Sequence, residues 1–138
     1  MPLTYTLEPD LTAEEFRELL IASTLGERRP IDDLPRLNTM LRSAQIIVTA
    51  RDTAHQPAKL VGVSRAITDF SFCCYLSDLA VDQAYQRRGI GKRLIEETRT
   101  HAGPQATLIL IAAPAAESYY PRIGMQHVHS CWQLPRQS

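Results

Sequence analysis

The chain has no long hydrophobic run, no excess of either charge and few cysteines, and each absence narrows its function. Its apolar runs are short and strand-like, so no transmembrane segment is expected. Fifteen basic and fifteen acidic residues cancel, which gives no general attraction to nucleic acid or to an anionic membrane. Three cysteines, two of them adjacent, do not form a disulfide framework. The first residues lack the basic and apolar regions of a signal peptide, and we predict a cytoplasmic protein.

The length favours a single domain over residues 1–138 with one hydrophobic core. Hydrophobic periodicity and turn residues predict strand, two helices, three strands, helix, strand, helix and strand, in that order. These elements cover residues 3–8, 12–26, 33–42, 45–51, 60–68, 72–82, 89–102, 106–112, 115–125 and 126–134. Three successive strands favour an antiparallel meander, and the following strand-helix-strand favours a parallel pair. We therefore expect a mixed sheet with helices on both faces.

The most informative motif is Gln86-Arg87-Arg88-Gly89-Ile90-Gly91, which joins the strand at 72–82 to the helix at 89–102. Gly89 and Gly91 have no Cβ, so an anionic ligand can approach the backbone closely. The first amides of a helix have no intrahelical partner, and the helix dipole adds partial positive charge at the same end. The motif therefore predicts a turn that binds a pyrophosphate.

Two well-known phosphate motifs do not fit this turn. A Rossmann fingerprint would need Gly or Ala at the position of Leu94. A P-loop would need Gly in place of Gln86, and Ser or Thr in place of Arg93 after Lys92. The pattern that remains is Q-x-x-G-x-G after an apolar strand.

That pattern is followed by Tyr119-Tyr120-Pro121-Arg122-Ile123-Gly124-Met125, and the two together resemble the GNAT N-acetyltransferase superfamily. The family has a coenzyme A pyrophosphate loop of the first form and a short helix that ends as aromatic-Tyr-x-x-x-Gly-apolar. The resemblance covers residues 45–134 well. It implies the GNAT acyl-CoA N-acyltransferase fold, an α/β (α+β) mixed sheet of six or seven strands flanked by about four helices. One departure is Ala113, where many members have an Asn that contacts the cofactor.

The resemblance also implies acetyl-CoA as co-substrate and no metal. Backbone groups on the central strand would pair with the pantetheine arm, amides of the loop would hold the pyrophosphate, and the glutamine would shape the loop. The residues implied in cofactor binding are Leu79, Ala80, Val81, Gln86, Arg87, Arg88, Gly89, Ile90, Gly91 and Lys92.

Tyr120 is the candidate general acid. Acetyl transfer from a thioester expels a thiolate, and a thiol pKa of ~8.5 is close enough to a phenol pKa of ~10 for proton transfer. The alternatives are that Tyr120 fills the core, or that Tyr119 has the polar role.

Asp78 is the second catalytic candidate, because the attacking amine must lose a proton and family members often place an acid or a water-binding group on the central strand. Ser77 is its neighbour, and strand alternation predicts that only one of the two side chains enters the cleft. The alternative for Asp78 is a structural hydrogen bond to a neighbouring loop.

The other polar clusters have simpler interpretations. His127 and Cys131 lie roughly 13 Å apart on a regular strand at ~3.3 Å per residue, so they cannot share one metal ion with His129. Cys73 and Cys74 point to opposite faces of their strand. The charges of the loop after the first helix are either solvated or select the acceptor. They are Arg28, Arg29, Asp32 and Asp33.

The sequence thus predicts an N-acetyltransferase that moves an acetyl group from acetyl-CoA to a primary amine of a small molecule, by direct transfer in a ternary complex. A protein or peptide acetyltransferase, or an acyl-CoA-binding module without turnover, is the alternative. The expected partner is a small-molecule or peptide amine, with no nucleic acid and no membrane. The resemblance also implies a homodimer, in which the last strand completes its sheet with a second chain.

Overall fold

The computed structural model describes residues 2–137 and contains a mixed sheet between helices. The strands are β1 (Leu3–Leu7), β2 (Ile46–Asp52), β3 (Lys59–Thr68), β4 (Cys73–Val81) and β5 (Thr107–Ile109). The helices are α1 (Ala13–Ser23), α2 (Leu34–Arg42), α3 (Ile90–Ala102) and α4 (Tyr119–Arg122), with short 3-10 turns at Leu25–Arg28, Gln83–Tyr85 and Pro114–Ala116. None of the helices in this part of the chain has the length and apolar content that a bilayer crossing requires.

The strands follow one another in the sheet in chain order, β1-β2-β3-β4-β5. The first four are antiparallel, and β5 runs parallel to β4. The predicted mixed sheet with an antiparallel meander and a parallel pair is therefore confirmed. The parallel pair is joined through α3, as a crossover connection requires.

The sheet has five strands within residues 2–137, fewer than the six or seven expected. The predicted last strand at 126–134 is wrong, because this segment forms no strand in the structure. Its side chains alternate between polar and apolar, but they are almost all exposed. β5 is only three residues long and offers little edge for pairing. Among the described residues, the segment 126–134 therefore lacks a neighbouring strand with which to form a hydrogen-bonded ladder.

Helices cover both faces of the sheet, as predicted. On one face α3 buries Ile90 and Leu94 against Val48, Val61 and Leu76. On the other face α1 and α2 bury apolar side chains against β2 and β3. This second cluster includes Phe16, Leu20, Leu37, Ile47 and Val63. Because both faces of β2 and β3 are covered, these strands are buried along nearly their whole length.

Local signals explain most helix ends. The Thr12 side chain accepts a hydrogen bond from the Glu15 amide and begins α1. Gly103, with φ of 93°, ends α3 as predicted. The prediction that α1 ends at Gly26 is wrong, because α1 ends at Ser23 and Thr24 takes the left-handed conformation with φ of 72°.

The adjacent cysteines separate as predicted, with Cys73 exposed and Cys74 buried. Burial raises the pKa of the Cys74 thiol, which disfavours the thiolate.

Candidate active site

Within the part of the chain that the structure describes, one edge of β4 is unpaired beyond the end of β5, because β4 is the longer strand. The two strands pair only from Cys73 to Tyr75 of β4, although β4 continues to Val81. From Leu76 onward β4 pairs with β3 alone among the described elements. Peptide groups on such an open edge are available to a ligand. The residues predicted to pair with the pantetheine arm lie on this open stretch; they are Leu79, Ala80 and Val81.

The predicted phosphate loop lies at the end of this open edge. Arg87 and Gly89 both take the left-handed conformation, with φ of 65° and 79°, and turn the chain into α3. Gly89 is the N-cap residue of α3. Because glycine has no side chain, the N-cap position supplies no hydrogen-bond acceptor to the first amides of the helix. The Gln86 side chain donates to the Val81 carbonyl at 3.1 Å and folds the loop back onto β4.

The basic side chains near the loop have different surroundings. Arg87 and Lys92 are exposed beside the loop. Arg88 stacks over the Tyr85 ring at 5.2 Å, and the buried Tyr85 hydroxyl donates to Asp52 at 2.7 Å. Arg93 stacks over the Tyr5 ring at 4.7 Å and pairs with Glu97 at 3.4 Å. Arg88 and Arg93 are thus held by aromatic rings near the first turn of α3, whereas Arg87 and Lys92 extend into solvent.

Tyr119 of α4 reaches the same loop. Its hydroxyl lies 2.9 Å from the position that a Cβ on Gly91 would occupy. Burial raises the pKa of Tyr119, and a hydrogen bond from the Lys92 amide acts in the opposite direction. The sequence named Tyr119 only as the alternative to Tyr120 and gave no signal that its hydroxyl lies on the loop.

Tyr120 lies beside Tyr119 with its ring at 5.3 Å and nearly perpendicular. It is half-buried against the core cluster that α3 covers. Burial, and to a lesser degree Tyr119, raises the pKa of Tyr120. Gly124 follows α4 with φ of 89°. Its amide donates a hydrogen bond to the Pro121 carbonyl, and the Met125 amide donates one to the Tyr120 carbonyl. The Tyr-x-x-x-Gly spacing is therefore the length of this single helical turn.

Asp78 is fully buried between two arginines. One carboxylate oxygen accepts from Arg29, which lies in the loop after α1, and the other accepts from Arg65 on β3. Arg29 also donates to the Ser77 carbonyl at 2.8 Å, and Arg65 donates to the Ser77 hydroxyl at 3.0 Å. The charged loop thereby becomes attached to the central strand. The sequence identified Arg29 as a loop charge and did not identify Arg65.

A β-bulge on β4 accounts for the position of both side chains. Arg65 pairs with Asp78 and the next residue of β3, Ala66, pairs with Leu76, so Ser77 is the extra residue. The bulge breaks the alternation, and Arg65 contacts the side chains of both Ser77 and Asp78. The prediction that these two side chains point to opposite faces is therefore wrong. Bulges are over-represented beside active sites because they redirect side chains.

The C-terminal histidines follow α4 in the chain, and their rings contact each other at a tilt of 52°. The rings of His127 and His129 are 4.1 Å apart, in an exposed segment. Within residues 2–137, no three side chains of His, Cys, Asp or Glu come together as metal ligands.

Comparison with known proteins agrees with this geometry. The model of an acetyltransferase (GNAT) domain matches residues 36–131, and the chain belongs to this family. A curated relative, an uncharacterized N-acetyltransferase from Pyropia yezoensis, is 28% identical over 109 residues, which are 78% of this chain and 61% of the relative. The chain spans about three-fifths of that relative, and its match to a probable acetyltransferase of Glycine max spans 30% of the latter.

Solved structures share the fold over nearly the whole chain. A probable acetyltransferase of unknown function from Staphylococcus aureus superposes with a TM-score of 0.79 at 20% identity and covers 99% of both chains. An aminoglycoside N-acetyltransferase in complex with CoA superposes with a TM-score of 0.70 at 15% identity, over 99% of this chain and 95% of the other. At these identities the likeness concerns the fold.

Proposed function

We propose that this protein transfers an acetyl group from acetyl-CoA to a primary amine of a small molecule, directly and within a ternary complex. The observation that carries the proposal is the open edge of β4, from Leu76 to Val81, which leads into the glycine loop at the N-terminus of α3. An extended pantetheine arm can add to such an edge as a strand does. A pyrophosphate suits the helix N-terminus at its end.

The residues of the loop fit a pyrophosphate. Gly89 has no atom within 4 Å of the position of a Cβ, so its surroundings are open to a ligand. The amides at Ile90, Gly91 and Lys92 open the helix and carry the positive end of its dipole. The exposed cations Arg87 and Lys92 add attraction of modest size, because exposed charges are screened.

Tyr120 is proposed as the general acid. A phenol, with an ordinary pKa of ~10, is protonated at neutral pH, so it has a proton to give. Burial raises the pKa of Tyr120 further, which keeps the proton in place until the thiolate forms and also makes the phenol a weaker acid. In the proposed step the amine nitrogen attacks the thioester carbonyl, the C–S bond breaks, and the phenol proton goes to the leaving sulfur. The half-buried position of Tyr120 limits the competition from water for that proton.

Asp78 remains a predicted catalytic residue, but its contacts favour a role in the framework. Both of its oxygens accept hydrogen bonds from arginines, so neither is directed at an incoming amine. We propose that it holds the loop around Arg29 against β4 and so shapes the acceptor side of the cleft. The amine proton then leaves through water.

A small-molecule acceptor is favoured by the balanced charge of the chain, because no basic or acidic excess exists to attract a charged macromolecule. An aminoglycoside N-acetyltransferase of the same fold gives a precedent for an aminoglycoside acceptor. A peptide acceptor and an acyl-CoA-binding module without turnover are the competing outcomes of the test.

The first experiment is calorimetric titration of the protein with acetyl-CoA, with adenosine diphosphate as control, followed by thiol release with a panel of small amines and peptides. We expect binding well above the control, and turnover with a small amine. No binding at millimolar acetyl-CoA would overturn the proposal. Binding without thiol release for any amine would identify a binding module instead.

The role of Tyr120 is tested with Tyr120→Phe. We expect unchanged acetyl-CoA affinity and a turnover lower by on the order of 10²-fold, as loss of a general acid typically gives. Tyr5→Phe is the matched control, because Tyr5 lies under Arg93 on the outer strand, and it should retain turnover. Full activity of Tyr120→Phe would remove this residue from the mechanism.

A further inference from the structure

The second glycine of the loop has a neighbour that the sequence does not explain. The three atoms nearest to a Cβ built on Gly91 all belong to Tyr119, and the hydroxyl oxygen is the closest at 2.9 Å. An added methyl group would have to displace that hydroxyl, since real Cβ atoms do not come so close to other atoms. Gly91 therefore leaves room for the Tyr119 hydroxyl at its present position, whereas Gly89 faces open space.

The position of the Tyr119 hydroxyl also defines its hydrogen bonding. It receives the hydrogen bond of the Lys92 amide, which belongs to the first turn of α3. A phenol that accepts through oxygen keeps its own proton to donate, and accepting a hydrogen bond polarises it as a donor.

We propose that Tyr119 is a phosphate-binding residue of the cofactor loop, whose hydroxyl rests on the Lys92 amide above Gly91 and donates its proton to a phosphate oxygen of acetyl-CoA. This inference rests on the proposed function and adds a half-buried side-chain donor to the backbone amides and exposed cations of the loop. The two neighbouring tyrosines then have separate tasks: Tyr119 holds the phosphate and Tyr120 protonates the thiolate. The raised pKa of Tyr119 keeps it a donor at neutral pH.

The test compares Tyr119→Phe with Tyr120→Phe by calorimetric titration with acetyl-CoA. Tyr119→Phe should bind roughly ten-fold or more weakly, as expected for loss of a hydrogen bond to a charged group. Tyr120→Phe should bind as the wild type does. Equal affinity of Tyr119→Phe and wild type would overturn the inference, and tighter binding would mean that the hydroxyl blocks the loop instead of serving it.

S-acetylpantetheine has no phosphate, so it tests whether the loss of affinity in Tyr119→Phe arises at the phosphates of acetyl-CoA. In thiol-release assays, KM for this substrate should be the same in Tyr119→Phe and wild type, while KM for acetyl-CoA rises. An equal rise for both substrates would place Tyr119 away from the phosphates and overturn the inference. If the wild type itself binds no acetyl-CoA, the proposed function fails first, so the two failures are distinct.

A double variant tests the contact with Gly91. Gly91→Ala should weaken acetyl-CoA binding, because the methyl group displaces the Tyr119 hydroxyl. Adding Tyr119→Phe removes the oxygen and leaves the ring carbon at 3.6 Å, an ordinary contact distance. We expect Gly91→Ala to cost little further affinity in the Tyr119→Phe background. Fully additive losses would show that the two positions act independently and would overturn the inference.

Discussion

Residues 2–102 and residues 103–137 differ sharply in how they are held. The first region contains the sheet up to β4 with α1, α2 and α3, and all the fully buried side chains of the described chain lie in it. In the second region α4 has one helical turn, β5 has three residues, and the side chains of Trp132 and Leu134 are 92% and 98% exposed.

The difference separates the packed scaffold from the short helix that carries the two tyrosines proposed to act in binding and catalysis. The glycine loop is anchored in the packed region through α3, while Tyr119 and Tyr120 belong to the lightly packed region. The two regions meet where the Tyr119 hydroxyl lies over Gly91. Functional segments are commonly drawn from the less stable part of a fold, and a rigid loop facing a lightly held helix is such an arrangement.

The largest effect should come from emptying the core of the first region. Phe16 is completely buried between α1 and the sheet, and Phe16→Ala should lower the free energy of unfolding by about 3–5 kcal/mol. Trp132→Ala, at the most exposed aromatic residue, should change it by no more than about 0.5 kcal/mol. Urea denaturation measures both. A substantial loss for Trp132→Ala would mean that the C-terminal segment is packed after all.

The next effect concerns the ion pairs that join the loop after α1 to β4. Asp78→Ala leaves the buried Arg65 without its carboxylate, and we expect a loss of about 3 kcal/mol of unfolding free energy. Asp32→Ala, at an exposed position of the same loop, is the control and should be nearly neutral. If Asp78→Ala kept its stability but lost turnover, Asp78 would act in the chemistry and not in the framework.

A smaller effect on stability, with a large one on binding, is expected at Gly89. A valine cannot adopt φ of 79° without strain, and Gly89→Val should lose about 1–2 kcal/mol of unfolding free energy and all measurable acetyl-CoA binding. Gly103→Val is the matched control, with φ of 93° at the opposite end of α3. It should lose at least as much stability, because its ψ of 163° places it in a region that only glycine adopts readily, and it should keep its affinity. Equal affinities of the two variants would refute the assignment of the loop.

The smallest effect is a pH dependence in the turn between β3 and β4. Three backbone amides, from Ser71 to Cys73, lower the pKa of Asp69 from 3.8 to about 2. Because the pKa is lower in the folded state, the stabilisation is complete above about pH 4 and is lost as the pH falls towards 2. Asp69→Asn should therefore be less stable than wild type at pH 7, with a gap that narrows at pH 2.5 in denaturation experiments. A gap of constant size would contradict this origin.

The two regions also differ in how well their secondary structure was predicted from the sequence. The packed region was predicted well, because the cap at Thr12 and the apolar residues that open β2 act through neighbours close in sequence. Gly103, directly after this region, ends α3 in the same local way. The segment 126–134 was predicted as a strand and is not one. An alternating pattern indicates only that a strand formed by these residues would have one polar and one apolar face. Whether the strand forms depends on a neighbouring strand edge, which the local sequence does not specify.

The sequence by itself determined the family, the glycine loop at the start of a helix, and Tyr120 with Gly124 at the length of one turn. These are local features, fixed by spacing and by backbone conformation. Only the tertiary structure decided that Arg29 and Arg65 enclose Asp78, that a bulge turns Ser77 to the same arginine, and that Tyr119 lies on Gly91. The reason is physical: these contacts join residues distant in the chain, and their geometry follows from how helices and strands pack and not from the order of neighbouring side chains.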